Sequence, residues 1–163
     1  MAIFLSTFIN KVDNKGRVSL PAPFRSALGP STTLELLEPD FFQGFVAFRS
    51  YKYPALECCS YTRMEALSKS VDKLDLFSQE SDDFSAAIFA DAVQIPFDND
   101  GRIILPKKLS EFSGIKDAAA FVGRGATFQI WEPEAFEKVQ QQARDRIQKG
   151  QATLSMSGPK EDA

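Results

Sequence analysis

The residues best suited to chemistry stand in a five-residue run, Asp13-Asn14-Lys15-Gly16-Arg17, and a near copy recurs at Asp98-Asn99-Asp100-Gly101-Arg102. Val12–Pro21 reads V-D-N-K-G-R-V-S-L-P, and Phe97–Pro106 reads F-D-N-D-G-R-I-I-L-P, starting 85 residues later (97 − 12). Seven of the ten positions are identical or exchange one β-branched residue for another, so the chain reads as a duplicated small module. The run predicts a tight turn: Asp accepts N–H groups ahead of it, and Asn and Gly tolerate positive φ. Asp13 can pair with Arg17 across the neck, and Asp98 with Arg102. Lys15 then stands at the tip of the first loop, where the second carries Asp100. A rigid hairpin presenting Lys15 and Arg17 suits phosphate or guanine, because a two-stranded ribbon fits the major groove and arginine pairs bidentately with guanine O6 and N7.

A plainer reading stands beside this one. Asp13/Arg17 and Asp98/Arg102 recur together, so their shared task can be to hold the turn, with Asn14, Gly16 and Gly101 shaping it. Turn geometry leaves the charge difference unexplained. Residues 1–30 carry Lys11, Lys15, Arg17 and Arg25 against Asp13, whereas residues 81–100 carry five aspartates and no lysine or arginine. If either copy touches nucleic acid, it is the first; Asp98 and Asp100 would repel phosphate. The net charge of −3 therefore hides opposite local fields.

Composition removes other chemistries. The chain has no histidine, so neither a Ser-His-Asp nor a Cys-His relay can be assembled. The common zinc sets lose their usual ligand, and the adjacent Cys58 and Cys59 lack chelating spacing. We expect no metal, no cofactor and no enzyme activity. Two neighbouring cysteines make no disulfide framework, which fits a reducing cytoplasm. No apolar run approaches ~18 residues, and the start has no basic leader or small-residue cleavage site, so neither a membrane span nor a secretory signal is expected.

The elements that must position the loops read as two similar units. Ile3–Val12 is expected as a strand, Arg17–Leu20 as its return strand, and Pro23–Leu28 as a short helix stopped by Gly29-Pro30. Within the return strand, Val18 and Leu20 share one face and Arg17 and Ser19 the other. Thr32–Glu38 and Gly44–Arg49 read as strands and Tyr53–Leu67 as a helix, with Ser70–Phe77 a second helix or loop. Glu80–Asp83 is the expected boundary, followed by a helix over Phe84–Ala90. The second unit repeats the order: strand Ala92–Phe97, short or at an edge because of Pro96, return strand Arg102–Leu105, helix Pro106–Phe112, strands Ala119–Gly123 and Thr127–Trp131, helix Glu134–Lys149. This gives repeats over 1–80 and 81–149, and a disordered tail over 150–163. The fold class is α+β, mainly β, with flanking helices.

On these residues the chain resembles the MraZ family of bacterial transcriptional regulators, which carry two tandem SpoVT-AbrB domains. The match lies in the opening F-L-S-T-F-I-N-K-V-D-N-K-G-R-V-S-L-P, the second Asp-x-x-x-Arg motif at its spacing, and the F-Q-I-W-E strand, from about Phe4 to Gln148. The resemblance implies an AbrB-like swapped-hairpin β-barrel formed by pairing the two repeats. It implies a ring homo-oligomer of about eight subunits or more, in the cytoplasm at the nucleoid. The implied partner is double-stranded DNA, with repeated boxes upstream of the division and cell-wall gene cluster, and the implied role is repression. Lys15 and Arg17 carry over as DNA contacts, with Arg25 and the neighbouring Lys11, while Asp13 and Gly16 shape the loop. Asp100 departs from the common pattern and argues against equal contact by both repeats. The competing reading is an AbrB-fold protein-interaction module, antitoxin-like, but such modules carry a long partner-binding tail and Gly150–Ala163 is short.

Overall fold

The computed structural model describes residues 3–30 and 33–155, without the side chains of residues 35 and 36. The described residues up to Pro133 form one compact unit, and those from Glu134 on a second.

In the first unit, β1 (Thr7–Lys11) leads through the first loop into β2 (Arg17–Ser19) and α1 (Ala22–Leu28). A helical turn, α2 (Thr33–Leu36), precedes β3 (Gly44–Arg49), β4 (Leu56–Cys59), α3 (Tyr61–Asp72) and α4 (Gln79–Phe84). A π-helical turn over Ser85–Phe89 runs into β5 (Val93–Pro96), and β6 (Arg102–Ile104), α5 (Lys107–Ser113), β7 (Ala118–Gly123) and β8 (Phe128–Trp131) follow. The second unit holds α6 (Pro133–Gln148, beginning one residue earlier) and the chain to Ser155, which is irregular after Gln151. The remainder of the expected tail, residues 156–163, lies outside the described residues.

The fold is α+β, with a sheet of antiparallel neighbours. One sheet has six strands in the order β1-β7-β8-β4-β3-β5; a separate ribbon pairs β2 with β6. Exchanging each strand with its counterpart in the other repeat reproduces this order. The register repeats as well: Phe8 lies opposite Phe121 between β1 and β7, and Val93, 85 positions after Phe8, lies opposite Ala47. In the ribbon Val18 faces Ile103, its own counterpart 85 positions on (103 − 18). The local two-fold axis therefore passes through that pair.

This pairing corrects the expected hairpin. β2 does not return along β1; β1 pairs with β7 and β2 with β6, each from the other repeat. The turn itself forms, but the strands part beyond it because their buried faces are completed by different partners. Three further expectations change. Thr33–Leu36 is a helical turn rather than strand; it has no partner in either sheet, and the bond from Leu37 N–H to the Leu34 carbonyl is local. Leu56–Cys59 is a strand rather than the start of a helix, because β3 and β8 hydrogen-bond it from both sides, and tertiary pairing outweighs local preference. Glu80–Asp83 is no break: Ser78 caps α4 by accepting from Ser81 N–H, and Glu80 and Asp82 lie in the first turn where the helix dipole favours them. The edge position of β5 agrees with Pro96.

The main core lies between the large sheet, the ribbon and α1 and α5. It takes Phe45, Ala47, Leu56 and Cys58 from the middle of the sheet, and Val18, Leu20, Ile103 and Leu105 from the ribbon and its ends. The opposite face of β3 and β4 packs Val46 and Cys59 with Met64 and, more loosely, Phe48, Leu67 and Ile88. Cys58 and Cys59 thus point to opposite faces, as strand alternation requires, and both are free thiols. Burial raises both thiols, Cys59 to about 11, so neither is a reactive thiolate at neutral pH.

Phe24 of α1 is the joint of the core. Its ring lies 5.3 Å from Phe4, 5.6 Å from Phe8 and 5.0 Å from Phe128, which belongs to the other repeat. Phe24→Ala is expected to cost about 3–5 kcal/mol, read as a lower denaturant midpoint with little change in slope; a loss under about 1 kcal/mol would show that the ring is not the joint.

Candidate nucleic-acid interface

Each loop is organised around one carboxylate. Asp13 Oδ1 accepts from Lys15 N–H and Arg17 N–H, both at 2.9 Å, and Oδ2 accepts from Arg17 Nε at 2.7 Å. Asp13 N–H donates to the Arg17 carbonyl and Gly16 N–H to the Asp13 carbonyl. Asp98 does the same in the second copy, accepting from Asp100 and Arg102 N–H at 2.9 Å. Gly16 and Gly101 sit at φ +79° and +77°, where a side chain is strained. Both carboxyls are held below their ordinary value near 3.8, first by the backbone N–H of the following arginine.

The loops differ at the guanidinium. Among the described residues Arg17 pairs with Asp13 alone, and the tip residues Asn14 and Lys15 are exposed. Arg102 is shared between Asp98 Oδ2 at 3.4 Å and Asp100 Oδ2 at 3.2 Å. The second loop neutralises its own arginine and carries a surplus carboxylate. The first keeps Lys15, with no ion pair among the described residues, and the exposed Lys11 at the end of β1.

The ribbon sets where these charges face. Val18 and Ile103 point into the core, so Arg17, Ser19, Arg102 and Ile104 share the outer face, Arg17 opposite Ile104 and Ser19 opposite Arg102. Pro96, Phe97 and Asp98 line a shallow cleft of about 260 Å³ with Arg17, Arg102, Ile103 and Ile104. Lys11, Lys15 and Arg17 therefore gather at one loop, whereas Arg25 reaches the other: its Nη1 donates to the Leu20 carbonyl and its guanidinium covers Gly101. Sequence reading placed Arg102 only among the turn-shaping residues. That it shares a face with Arg17 depends on pairing between strands of different repeats, which a single copy of the motif does not display.

Among the described residues no cluster of histidine, cysteine, aspartate and glutamate could hold a metal ion, and no helix is long and apolar enough to cross a membrane.

Fold and loops together define a class: an α+β protein with a mostly antiparallel sheet and two near-copy loops at a separate two-stranded ribbon, one with a lysine at its tip and one with an aspartate. Residues 88–156 match the family model described as "MraZ protein, putative antitoxin-like". The chain is 42% identical over 138 residues to a transcriptional regulator MraZ of Rickettsia akari, covering 85% of this chain and 87% of that one. It is 44% identical over 150 residues to a transcriptional regulator MraZ of Gluconacetobacter diazotrophicus, covering 90% and 89%. The chain belongs to the MraZ family.

The carboxylate hub gives the first loop a defined pH range. A lowered carboxyl pKa contributes stability that is complete above the unfolded value and lost as pH falls through the folded one. Backbone amide shifts of Lys15 and Arg17 are expected to stay flat from pH 8 to about 5 and to move only below about 4. A transition centred above that range would show that Arg17 does not hold the Asp13 carboxylate.

Proposed function

We propose that the protein is a sequence-specific DNA-binding transcriptional regulator, acting as a repressor through its first loop. The observation that carries this reading is the pair of loops built on the same hub, of which only the first carries at its tip a cation, Lys15, with no ion pair among the described residues. Lys15 and Arg17 make the principal contacts, and Lys11 adds charge beside them. Asp13, Asn14 and Gly16 keep the loop in shape, as Asp98, Gly101 and Arg102 do in the second. The names of the relatives support a role in transcription. The exchange of strands between repeats supports an AbrB-like swapped-hairpin barrel.

One such loop would bind weakly. A ring of about eight or more subunits, binding repeated boxes upstream of the division and cell-wall gene cluster, would engage several loops together, so that avidity replaces affinity. If each loop neutralises one or two phosphates, binding by several loops falls steeply with salt. The site of action is the nucleoid in the cytoplasm.

The test is a fluorescence-anisotropy titration on DNA from upstream of the protein's own gene, at two salt concentrations, with scrambled DNA as control. Tight, salt-steep, selective binding is expected, and Lys15→Ala with Arg17→Ala should abolish it without changing assembly size. Equal weak binding to both DNAs would favour the protein-interaction module instead. Asp100→Lys frees Arg102 from one carboxylate, yet specificity on the same DNA pair should not change. A new preference acquired through the second loop would show that its silence rests on charge alone.

A further inference from the structure

Arg25 breaks the likeness of the two repeats. The position 85 residues on is Ser110, so the second repeat has no counterpart to its guanidinium. Arg25 lies on α1, partly buried, and its Nη1 donates to the Leu20 carbonyl at 2.5 Å. A methyl group at Gly101 would overlap Nη1 and stand 2.5 Å from Cζ and 2.7 Å from Nε. Leu20 N–H in turn donates to the Gly101 carbonyl at 2.8 Å. β2, α1 and the second loop thus meet in one closed joint. The mirror joint has the equivalent bond, Leu105 N–H to the Gly16 carbonyl at 2.9 Å, but no guanidinium over its glycine; a methyl group at Gly16 would meet only the Leu105 carbonyl, at 3.3 Å.

We infer that Arg25 is a positioning residue for DNA binding and makes no phosphate contact. This rests on the DNA-binding reading above. Its guanidinium fixes the second loop and the far end of β2, and through that three-residue strand it sets the direction of Arg17. The role calls for the guanidinium rather than charge alone: a flat group fits the space that glycine leaves open while still donating to a carbonyl, which a lysine ammonium does not reproduce.

Two measurements on the full chain test it: DNA affinity as a function of salt, and amide hydrogen exchange at Leu20 without DNA. Arg25→Ala, Arg25→Lys and Gly101→Ala are expected to weaken binding to similar extents, roughly tenfold, with the slope of log K against log salt unchanged. Each should also speed exchange at Leu20. Gly101→Ala keeps the arginine and its charge but also strains the turn at φ +77°, so Arg25→Lys carries the test if Arg25→Ala fails to fold. A slope shallower by about 0.9 in Arg25→Ala, with Arg25→Lys restoring wild-type binding, would make Arg25 a phosphate contact and overturn the inference. Unchanged Leu20 exchange in all three variants would overturn it too. If the wild-type protein shows no DNA selectivity, the functional reading fails, while the exchange data still decide whether the joint exists.

Discussion

A ribbon of three residues per strand, one strand from each near-copy segment, joins the two halves of the first unit at its centre. Val18 against Ile103 lies on the local two-fold axis and is buried with the central core. On either side of it the chain closes by Leu20 N–H to the Gly101 carbonyl and Leu105 N–H to the Gly16 carbonyl. Each bond ties the end of one repeat's short strand to the loop of the other. Because β1 and β5 also pair with strands of the opposite repeat, neither half completes its sheet with its own residues. Small modules bury too little surface to be secure alone, and exchanging strands places both in one core.

Within that frame the two loops have separate jobs. The aspartate hub is the same in both, down to its 2.9 Å bonds to the backbone amides two and four residues on. The hubs match, and the loops differ in the side chain at the tip and in the Arg25 guanidinium that covers only Gly101. Where the first loop has Lys15 the second has Asp100, which gives the arginine a second carboxylate in place of a neighbouring lysine. A backbone scaffold conserved between repeats has thus left one exposed side chain to decide the sign of the field.

The turns, the two faces of β2, the short or edge character of β5 and the short helices after each proline were legible in the sequence because they follow from nearest-neighbour chemistry. Asp13, Gly16 and Pro21 act within a few residues of themselves. The hairpin was misread because strand character is local but partnership is not: nothing in Arg17–Ser19 says that its neighbour lies 85 positions away. Leu56–Cys59 was misread for the same reason, since hydrogen bonds from β3 and β8 decide its state. The charge contrast between the loops was visible from composition, whereas the reach of Arg25 to Gly101 needed the packed structure. α4 shows the reverse case, in which a serine cap and early acidic residues were present in the sequence but were taken for a break.

Strand exchange also sets a timetable for synthesis. The first strand, Thr7–Lys11, leaves the ribosome early, yet its partner Ala118–Gly123 is more than a hundred residues behind it. At about 5–20 residues per second, that strand stays without its partner for roughly 5–20 seconds. During this time its exposed edge is open to any neighbouring chain, including an identical one emerging from the same message. The order of strands therefore makes this a late-folding segment, in which β1 must stay soluble until β7 has been made.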